Sequence, residues 1–163
     1  KHEPLTDDQW EVIKGNLNWQ RKRKLSLRKI FDAILWITRT GSQWRNMESK
    51  YPPWQAVYYY FYKWSRNGLL KELNFALNSW ARIQQSRARH PSLGIVESQS
   101  VKLAPLIYEY RGIDGHKLVN GRKRQLLVDV LGRIWKVAVH PANIHDSKGG
   151  LLLLEDLKKN NHS

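Results

Sequence analysis

The sequence contains no cysteine, and its acidic residues are half as numerous as its basic ones, 14 against 28. Without cysteine, a disulfide framework, a thiolate metal site and a cysteine nucleophile are all excluded. No apolar run approaches the length of a transmembrane helix, and no amino-terminal segment resembles a secretory signal. The absence of cysteine also fits a reducing compartment. We therefore expect a cytoplasmic protein with no membrane partner.

The positive charge is large and lies mainly in the first half of the chain. The 163 residues carry a formal net charge of +14. Residues 21–89 hold fifteen Lys or Arg and three acids, a net charge of +12, whereas residues 93–163 hold eleven bases and seven acids, a net charge of +4. Such a field favours polyanions, either nucleic acid or an acidic membrane surface. No helix pairs a basic face with an otherwise exposed apolar face, so nucleic acid is the partner that we favour.

The first half shows the pattern of a bundle of three or four helices. Thr6 and Gln9 have the spacing of a capping box, which predicts a helix start at this point. Ser26 is placed to cap a second helix, whose apolar residues recur at spacings of three and four. Gly41 stands where that second helix should end.

A third helix follows a proline break and carries most of the tyrosines. It is predicted from Pro53 to Asn67, and a fourth helix from about Leu69 to about Ser86. A helix, a turn region and a second helix at the centre of the bundle make a helix-turn-helix-like unit, whose second helix would enter the major groove of DNA. The apolar stripe predicted to face the core comprises Trp54, Val57, Tyr58, Phe61 and Trp64. The outward residues predicted to contact DNA are Tyr59, Tyr62, Lys63 and Arg66.

The second half, after a boundary at residues 88–92, begins with a strand. Gly94–Val101 is predicted to be central in its sheet, because Ile95 and Val96 are consecutive and apolar. Residues 103–121 are predicted to be irregular, with three glycines as punctuation.

A hairpin and a helix are predicted next. The hairpin strands are 125–130 and 133–140, joined by a short link that contains Gly132. Asp146 or Ser147 is predicted to cap the last helix. Three strands and one helix would leave an open sheet edge, which proteins usually avoid. We therefore expect a downstream segment or a partner to complete the sheet.

The acidic and histidine side chains of the second half offer few chemical groupings. Glu97 is a lone carboxylate at the seam between the two halves. Asp129 is predicted to have a structural role near the hairpin turn, and Asp146 to act as a helix cap. His140 and His145 have no third ligand placed beside them, so a histidine metal pair is not favoured.

Six short segments together resemble insertion-sequence transposases. They are Arg-Thr-Gly-Ser-Gln-Trp-Arg at 39–45, Pro-Pro-Trp-Gln-Ala-Val-Tyr at 52–58, Val-Glu-Ser-Gln-Ser-Val-Lys at 96–102, Gly-Arg-Lys-Arg at 121–124, Val-Asp-Val-Leu-Gly at 128–132 and Ala-Asn-Ile-His-Asp at 142–146. These are similar, in the same order, to segments of the insertion-sequence 4/5 superfamily, closest to the family-five type. The third segment corresponds to that family's Ile-Asp-Ser-Gln-Ser-Val-Lys. The resemblance covers residues 5–158.

The resemblance implies an α+β chain with a helical DNA-binding region at residues 1–90. Residues 91–163 would then be the first strands and helix of a ribonuclease H-like DDE catalytic domain. Such transposases use Asp, Asp and Glu to hold two divalent metals, here expected to be Mg²⁺, which promote DNA strand cleavage and joining. Glu97 stands at the position of the first Asp and is the expected catalytic and metal residue, although its extra methylene moves the carboxylate by about a bond length.

The other two acids of such a site would lie beyond residue 163, so we expect an incomplete active site. We predict a transposase portion, either an upstream-frame product or a decayed copy, that binds double-stranded DNA at the element ends in the nucleoid of a prokaryote. Two alternatives stay open: a non-catalytic regulator of transposition, and an enzyme completed by a second chain, either another copy or a downstream-frame transposase. The residues predicted to contact DNA are Arg21, Lys22, Arg23, Lys24, Arg28, Arg39, Arg45, Tyr59, Tyr62, Lys63, Arg66, Arg122, Lys123 and Arg124. For residues 21–24 a solvated linker is an equally good interpretation.

Overall fold

The described part of the chain, residues 3–17 and 24–160, forms two units in the computed structural model. The units are Lys1–Arg89 and His90–Ser163. The predicted contact residues Arg21, Lys22 and Arg23 lie outside the described residues. Among the residues that are described, no helix is both long enough and apolar enough to cross a membrane.

Within its described residues, the first unit contains four α-helices: α1 (Asp7–Gly15), α2 (Leu27–Thr40), α3 (Trp54–Arg66) and α4 (Leu69–Ile83). The predicted capping box is confirmed, since Gln9 N donates to Thr6 Oγ1 at 3.2 Å and Thr6 N donates to Gln9 Oε1 at 3.1 Å. The predicted caps of α2 are confirmed as well, with Ser26 at its start and Gly41, at a φ of 66°, at its end. Helix α4 ends three residues earlier than predicted.

The core of the first unit is built mainly by one face of α2 packed against α3. Phe31 of α2 stacks on Trp64 of α3 with ring centroids 4.3 Å apart. Ile30 and Val57 are fully buried beside them. The prediction that Trp64 belongs to the core is confirmed. The prediction for Tyr58 is wrong, because this residue is 44 % exposed. It lies one position past Val57, on the solvent side of the helix.

The connection between α2 and α3, residues 41–53, contains a single 3-10 turn, Trp44–Asn46. It is much longer than the roughly three- to four-residue turn of a standard helix-turn-helix motif. The tight connection in this unit is instead Asn67-Gly68, between α3 and α4. Helix α3 therefore stands between a long connector before it and a short turn after it.

The second unit contains a four-stranded antiparallel sheet and one helix. Its elements are β1 (Gly94–Lys102), β2 (Gly112–Asp114), β3 (Val119–Asp129), β4 (Ile134–Pro141) and α5 (Asp146–Asn160). Strand β3 is the central one, since β1, β2 and β4 all pair with it. The prediction that β1 is central is wrong, because within the described residues β1 pairs only with β3. Ile95 and Val96 are accordingly exposed.

The region predicted to be irregular, 103–121, contains β2 and the start of β3. Strand β2 has only three residues and pairs with one end of β3. So short a segment contains too few apolar residues for its sequence to predict a strand. Gly121 lies opposite both Lys102 and Gly112 in the sheet. A Cβ atom at this position would overlap the carbonyl oxygen of Val101, so only glycine permits this approach of the two backbones.

The predicted hairpin is confirmed, with β3 and β4 joined at a turn in which Gly132 has a φ of 72°. Helix α5 follows and contacts both of these strands. The predicted α+β class is confirmed, and the antiparallel sheet of four strands followed by a helix is compatible with a ribonuclease H-like domain.

Candidate nucleic-acid interface and carboxylate position

The solvent face of α3 is aromatic and basic. The sequence of the helix, Trp-Gln-Ala-Val-Tyr-Tyr-Tyr-Phe-Tyr-Lys-Trp-Ser-Arg, contains no acidic residue. Tyr58, Tyr59, Tyr62, Lys63 and Arg66 are all exposed. The opposite face is held in the core by Val57 and Trp64. The structure thus brings the four predicted contact residues of this helix together on one surface, and adds Tyr58 to them.

Other predicted contact residues of the first unit are placed less uniformly. Lys24, Arg39 and Arg45 are exposed, and the Arg45 guanidinium lies 5.9 Å from the centroid of the Trp54 ring. Arg28 is engaged within the unit instead. Its Nη1 lies 2.6 Å from Asp7 Oδ1, and its Nη2 donates to the carbonyl oxygen of Leu5 at 2.7 Å. Arg28 therefore ties Leu5 and the first residue of α1 to α2.

Glu97 lies on the face of β1 that points away from α5. Side chains alternate between the two faces of a strand, and Ser98 is on the α5 side because its hydroxyl donates to Asp146 Oδ2 at 2.7 Å. Gln99 shares the face of Glu97 and donates from Nε2 to Glu97 Oε1 at 3.3 Å. The amide oxygen of Gln99 in turn accepts from Arg124 Nε at 2.8 Å. Glu97 is exposed and stands at the end of this chain of hydrogen bonds.

The opposite face carries a buried ionic network centred on Lys123, which is only 4 % exposed. Its Nζ lies 2.7 Å from Asp146 Oδ1 and 3.3 Å from Asp114 Oδ2, and it donates to the carbonyl oxygen of Ile144 at 3.0 Å. Ser100 adds a hydrogen bond to Asp114 at 2.5 Å. The network therefore joins β1, β2, β3 and the start of α5.

The network shifts the pKa of its members in the direction of the charged forms. Hydrogen bonds from Lys123 and Ser98 lower the pKa of Asp146. The Ser100 hydroxyl and the backbone N–H of Lys117 hold the pKa of Asp114 well below its ordinary range. Burial opposes the charge of Lys123, but its hydrogen bonds with Asp146 and Asp114 outweigh burial and raise its pKa. All three groups are charged at neutral pH.

Asp146 and Asp129, two acidic residues for which the sequence predicts structural roles, lie at the start of α5 and at the hairpin turn. Asp146 is the first residue of α5 and not its cap. His145 occupies the preceding position, and its Nδ1 accepts from Ser147 N at 3.3 Å, as a capping side chain does. The structural role predicted for Asp129 is confirmed, since its Oδ1 accepts from Leu131 N at 2.9 Å and from Arg133 N at 3.0 Å across the hairpin turn.

A two-metal carboxylate site does not fit the described residues as they stand. Glu97 lies on one face of the sheet, whereas Asp114 and Asp146 lie on the other and are committed to Lys123. Among residues 3–17 and 24–160, no three His, Cys, Asp or Glu side chains are grouped as metal ligands would be. Asp114, Asp129 and Asp146 therefore have structural partners of their own.

The three bases predicted at 122–124 occupy different environments. Lys123 is inside the network just described, so its charge is not presented to solvent. Arg122 is half-buried and donates from Nη2 to the carbonyl oxygen of Glu109 at 2.9 Å. Arg124 is exposed and bonded to Gln99. Only Arg124 presents its charge on the surface in the way the prediction requires.

The sequence does not predict the exposure of Tyr58 or the network around Lys123. For Tyr58 the signal was its spacing of four from Tyr62, which places the two rings on one ridge of the helix. For the network, the signal was the alternation of Ser98 and Ser100 in β1. It becomes informative only with the register, which sets Ser98 opposite Gln125 and Ser100 opposite Lys123.

In comparison with known proteins, parts of both units match transposase families. Residues 5–74 match a family described as "Putative transposase of IS4/5 family". Residues 88–163 match the family "Transposase DDE domain". DDE domains of this kind act on DNA and generally use a divalent metal. The resemblance to insertion-sequence 4/5 transposases that the sequence predicts is thereby confirmed.

The comparisons with individual proteins and with solved structures add little information to the family matches. The uncharacterized protein y4sN of Sinorhizobium fredii (strain NBRC 101917 / NGR234) is 34 % identical over 73 residues, which cover 42 % of this chain and 58 % of the relative. The chain thus spans less than two thirds of that relative's length. No solved structure matches this chain.

Proposed function

We propose that this chain, whose two units are related to IS4/5-type DDE transposases, is the DNA-binding portion of such a transposase and does not cleave DNA by itself. In this account the first unit binds duplex DNA at the ends of the element. The second unit contributes Glu97 to a catalytic site that needs further carboxylates from another segment or another chain.

The acid-free solvent face of α3 is the observation that carries the proposal. Lys63 and Arg66 lie on it beside three exposed tyrosines, and Lys24, Arg39 and Arg45 are exposed elsewhere in the same unit. Residues 24–89 contain twelve bases and three acids, a net charge of +9. When Lys and Arg side chains contact the phosphates of DNA, they release its bound counterions. This release supplies most of the affinity for a duplex.

The second unit supports the claim of inactivity by the position of its carboxylates. Glu97 has Gln99 as its hydrogen-bond partner, and the network of Lys123 holds Asp114 and Asp146 on the other face. A bound divalent metal would supply a Lewis acid for phosphoryl transfer, and one carboxylate alone is a weak ligand set for it. Glu97 would therefore act only when other acids are brought beside it.

A salt series tests the DNA-binding claim. The Kd of the full chain for a duplex that carries the element's terminal sequence is measured by fluorescence anisotropy between about 50 and 200 mM salt. We expect log Kd to rise steeply with log salt, and we expect tighter binding to this duplex than to a scrambled one. Affinity that is insensitive to salt would contradict the proposal.

A nicking assay tests the claim of inactivity. The full chain is incubated with supercoiled DNA and Mg²⁺, and no nicking is expected. Nicking by the wild type that Glu97→Gln abolishes would overturn this claim. It would favour the second candidate, an enzyme completed by another copy, which is suggested by the edge of β1 that no described strand occupies.

A further inference from the structure

The exposed tyrosines of α3 form an ordered ridge. Tyr58, Tyr62 and Arg66 follow one another at spacings of four, which places them in line along the helix. The rings of Tyr58 and Tyr62 are stacked with centroids 6.4 Å apart and planes at 24°. Arg66 closes the line, because its Nη1 donates to the Tyr62 hydroxyl at 2.7 Å and its guanidinium lies 5.5 Å from the ring centroid. We call Tyr58, Tyr62 and Arg66, with Tyr59 and Lys63 beside them, the tyrosine ridge.

The ridge is held from beneath by the core of the first unit. Trp44 packs edge-on against Tyr58 at 5.2 Å between centroids, and it also contacts Phe61 at 5.3 Å. Tyr59 stands against Tyr60 at 5.4 Å, and Tyr60 packs on the buried Trp64. Each of these exposed rings is therefore supported on one side and open on the other. Rings fixed in this way lose little further freedom when a ligand binds.

The exposure of the tyrosine rings of α3 indicates a binding surface. Tyr58, Tyr59 and Tyr62 are 44 %, 58 % and 49 % exposed. Several aromatic side chains next to one another on a helix are normally covered by another part of the protein or by a partner. Lys63 and Arg66 flank them, and α3 contains no acid. A partner that is both aromatic and polyanionic matches this surface, and an apolar protein surface does not match its charge.

The chemistry of the ridge favours unpaired bases over the major groove. Direct readout of a duplex depends on side chains that pair with base edges, chiefly Arg, Lys, Asn and Gln. The ridge offers mainly ring faces, which stack on bases that have left the duplex, with cations for the adjoining phosphates. Stacking on aromatic rings tolerates any base, because every base has a flat face.

We propose that the tyrosine ridge binds single-stranded DNA, namely unpaired bases adjoining the duplex that the first unit holds. The inference rests on the proposed function, since it assigns a role within the same DNA-binding surface. It predicts that removal of the rings weakens binding to single strands much more than binding to a duplex. Removal of charge, in contrast, weakens both.

Anisotropy with three labelled probes tests the proposal on the full chain. The probes are a single strand of about 12 nucleotides, an abasic strand of equal length, and a duplex of about 30 base pairs, long enough that its ends contribute little. The wild type should bind the single strand about tenfold more tightly than the abasic strand. The variant Tyr58→Leu/Tyr62→Leu should lose that preference, and its affinity for the single strand should fall much more than its affinity for the duplex.

The controls separate stacking from charge and from folding. Tyr108→Leu removes an exposed tyrosine of the second unit and should bind all three probes as the wild type does, whereas Lys63→Gln should weaken binding to all three alike. Equal affinity of the wild type for the single strand and the abasic strand would overturn the inference while leaving duplex binding intact. Equal loss of duplex and single-strand binding in the leucine variant, with an unchanged circular dichroism spectrum, would also overturn it. Failure of the wild type to bind any probe would instead contradict the proposed function.

Discussion

The Lys123 ammonium and the Asp146 carboxylate form an ion pair, with Nζ 2.7 Å from Oδ1, that joins the central strand of the sheet to the first residue of α5. Asp114 closes the network from β2, with its Oδ2 3.3 Å from the same Nζ. The pair explains why the basic segment 121–124 is not uniformly a surface for DNA. Lys123 stabilises the second unit, and its charge is neutralised inside it.

Replacing Lys123 should therefore destabilise the second unit. Lys123→Met keeps most of the aliphatic side chain but leaves the buried Asp114 carboxylate without its cation, so we expect the Tm to fall by about 5 °C or more. Lys148→Met is the matched control, because Lys148 is exposed on α5 and its loss should change the Tm by no more than about 2 °C. The measurement is thermal unfolding followed by circular dichroism at neutral pH. Equal shifts for the two variants would show that the network contributes nothing.

The same network predicts how stability depends on pH. The pKa values of Asp114 and Asp146 are lowered in the folded state, so their contribution is complete above the pKa of an unfolded Asp, about 4, and is lost as the pH falls below it. The pKa of Lys123 is raised, so its contribution is complete below about 10.4 and is lost at higher pH. Stability should thus be level between these limits. The urea midpoint of the wild type should fall more between pH 5 and pH 3 than that of Lys123→Met, and parallel losses would contradict this.

Two adjacent glycines of α5 should respond in opposite directions to the same substitution. A Cβ atom at Gly149 would overlap His140 Nε2 and the Gln125 side-chain amide beneath the helix, whereas one at Gly150 would lie 3.8 Å from Val96 Cγ1, an ordinary contact. Gly149→Ala should cost about 1–3 kcal/mol through overpacking. Gly150→Ala should gain about 0.5–1 kcal/mol, since alanine is the better helix former. Urea unfolding measures both, and a stabilised Gly149→Ala would show that α5 does not pack closely on β3 and β4.

The first unit offers a matched pair of threonines. Thr6 caps α1, and its replacement by alanine should cost about 1 kcal/mol because Gln9 N loses its acceptor. Thr38 is exposed within α2, and its hydroxyl donates to the carbonyl oxygen of Leu35. Thr38→Ala should be neutral or slightly stabilising, because alanine has the higher helix propensity. The free energy of unfolding in urea checks both variants, and a larger loss for Thr38→Ala would argue against the assigned cap.

Local signals in the sequence were enough for the helices and the hairpin. Thr6, Ser26 and Gly41 mark helix ends through groups that interact within a few residues, so their roles follow from spacing alone. Gly132 marks the hairpin turn for the same reason. The α+β class follows from the change of period between the two halves.

Features that depend on long-range register could not be predicted in this way. The position of β1 at the sheet edge depends on which strands pair with β3. The consecutive apolar residues Ile95 and Val96 predict a buried strand, but no described element covers them. Lys123 resembled its neighbours Arg122 and Arg124 in sequence. Its burial became evident only when the register set it opposite Ser100, on the face that α5 covers. The sequence predicts Tyr58 in the core, because its spacing fits either flank of the apolar stripe.

The measurement that tests the central claim most directly is a comparison of two variants with equal loss of charge. Lys63→Gln/Arg66→Gln removes two cations from the solvent face of α3, and Lys102→Gln/Lys148→Gln removes two exposed cations from the second unit. The slope of log Kd against log salt is measured for each on the same duplex. If α3 binds DNA, the first variant should bind more weakly and its slope should fall by about two, while the second variant keeps the slope of the wild type. Equal weakening by both variants would mean that only net charge attracts DNA, and would contradict a binding surface on α3.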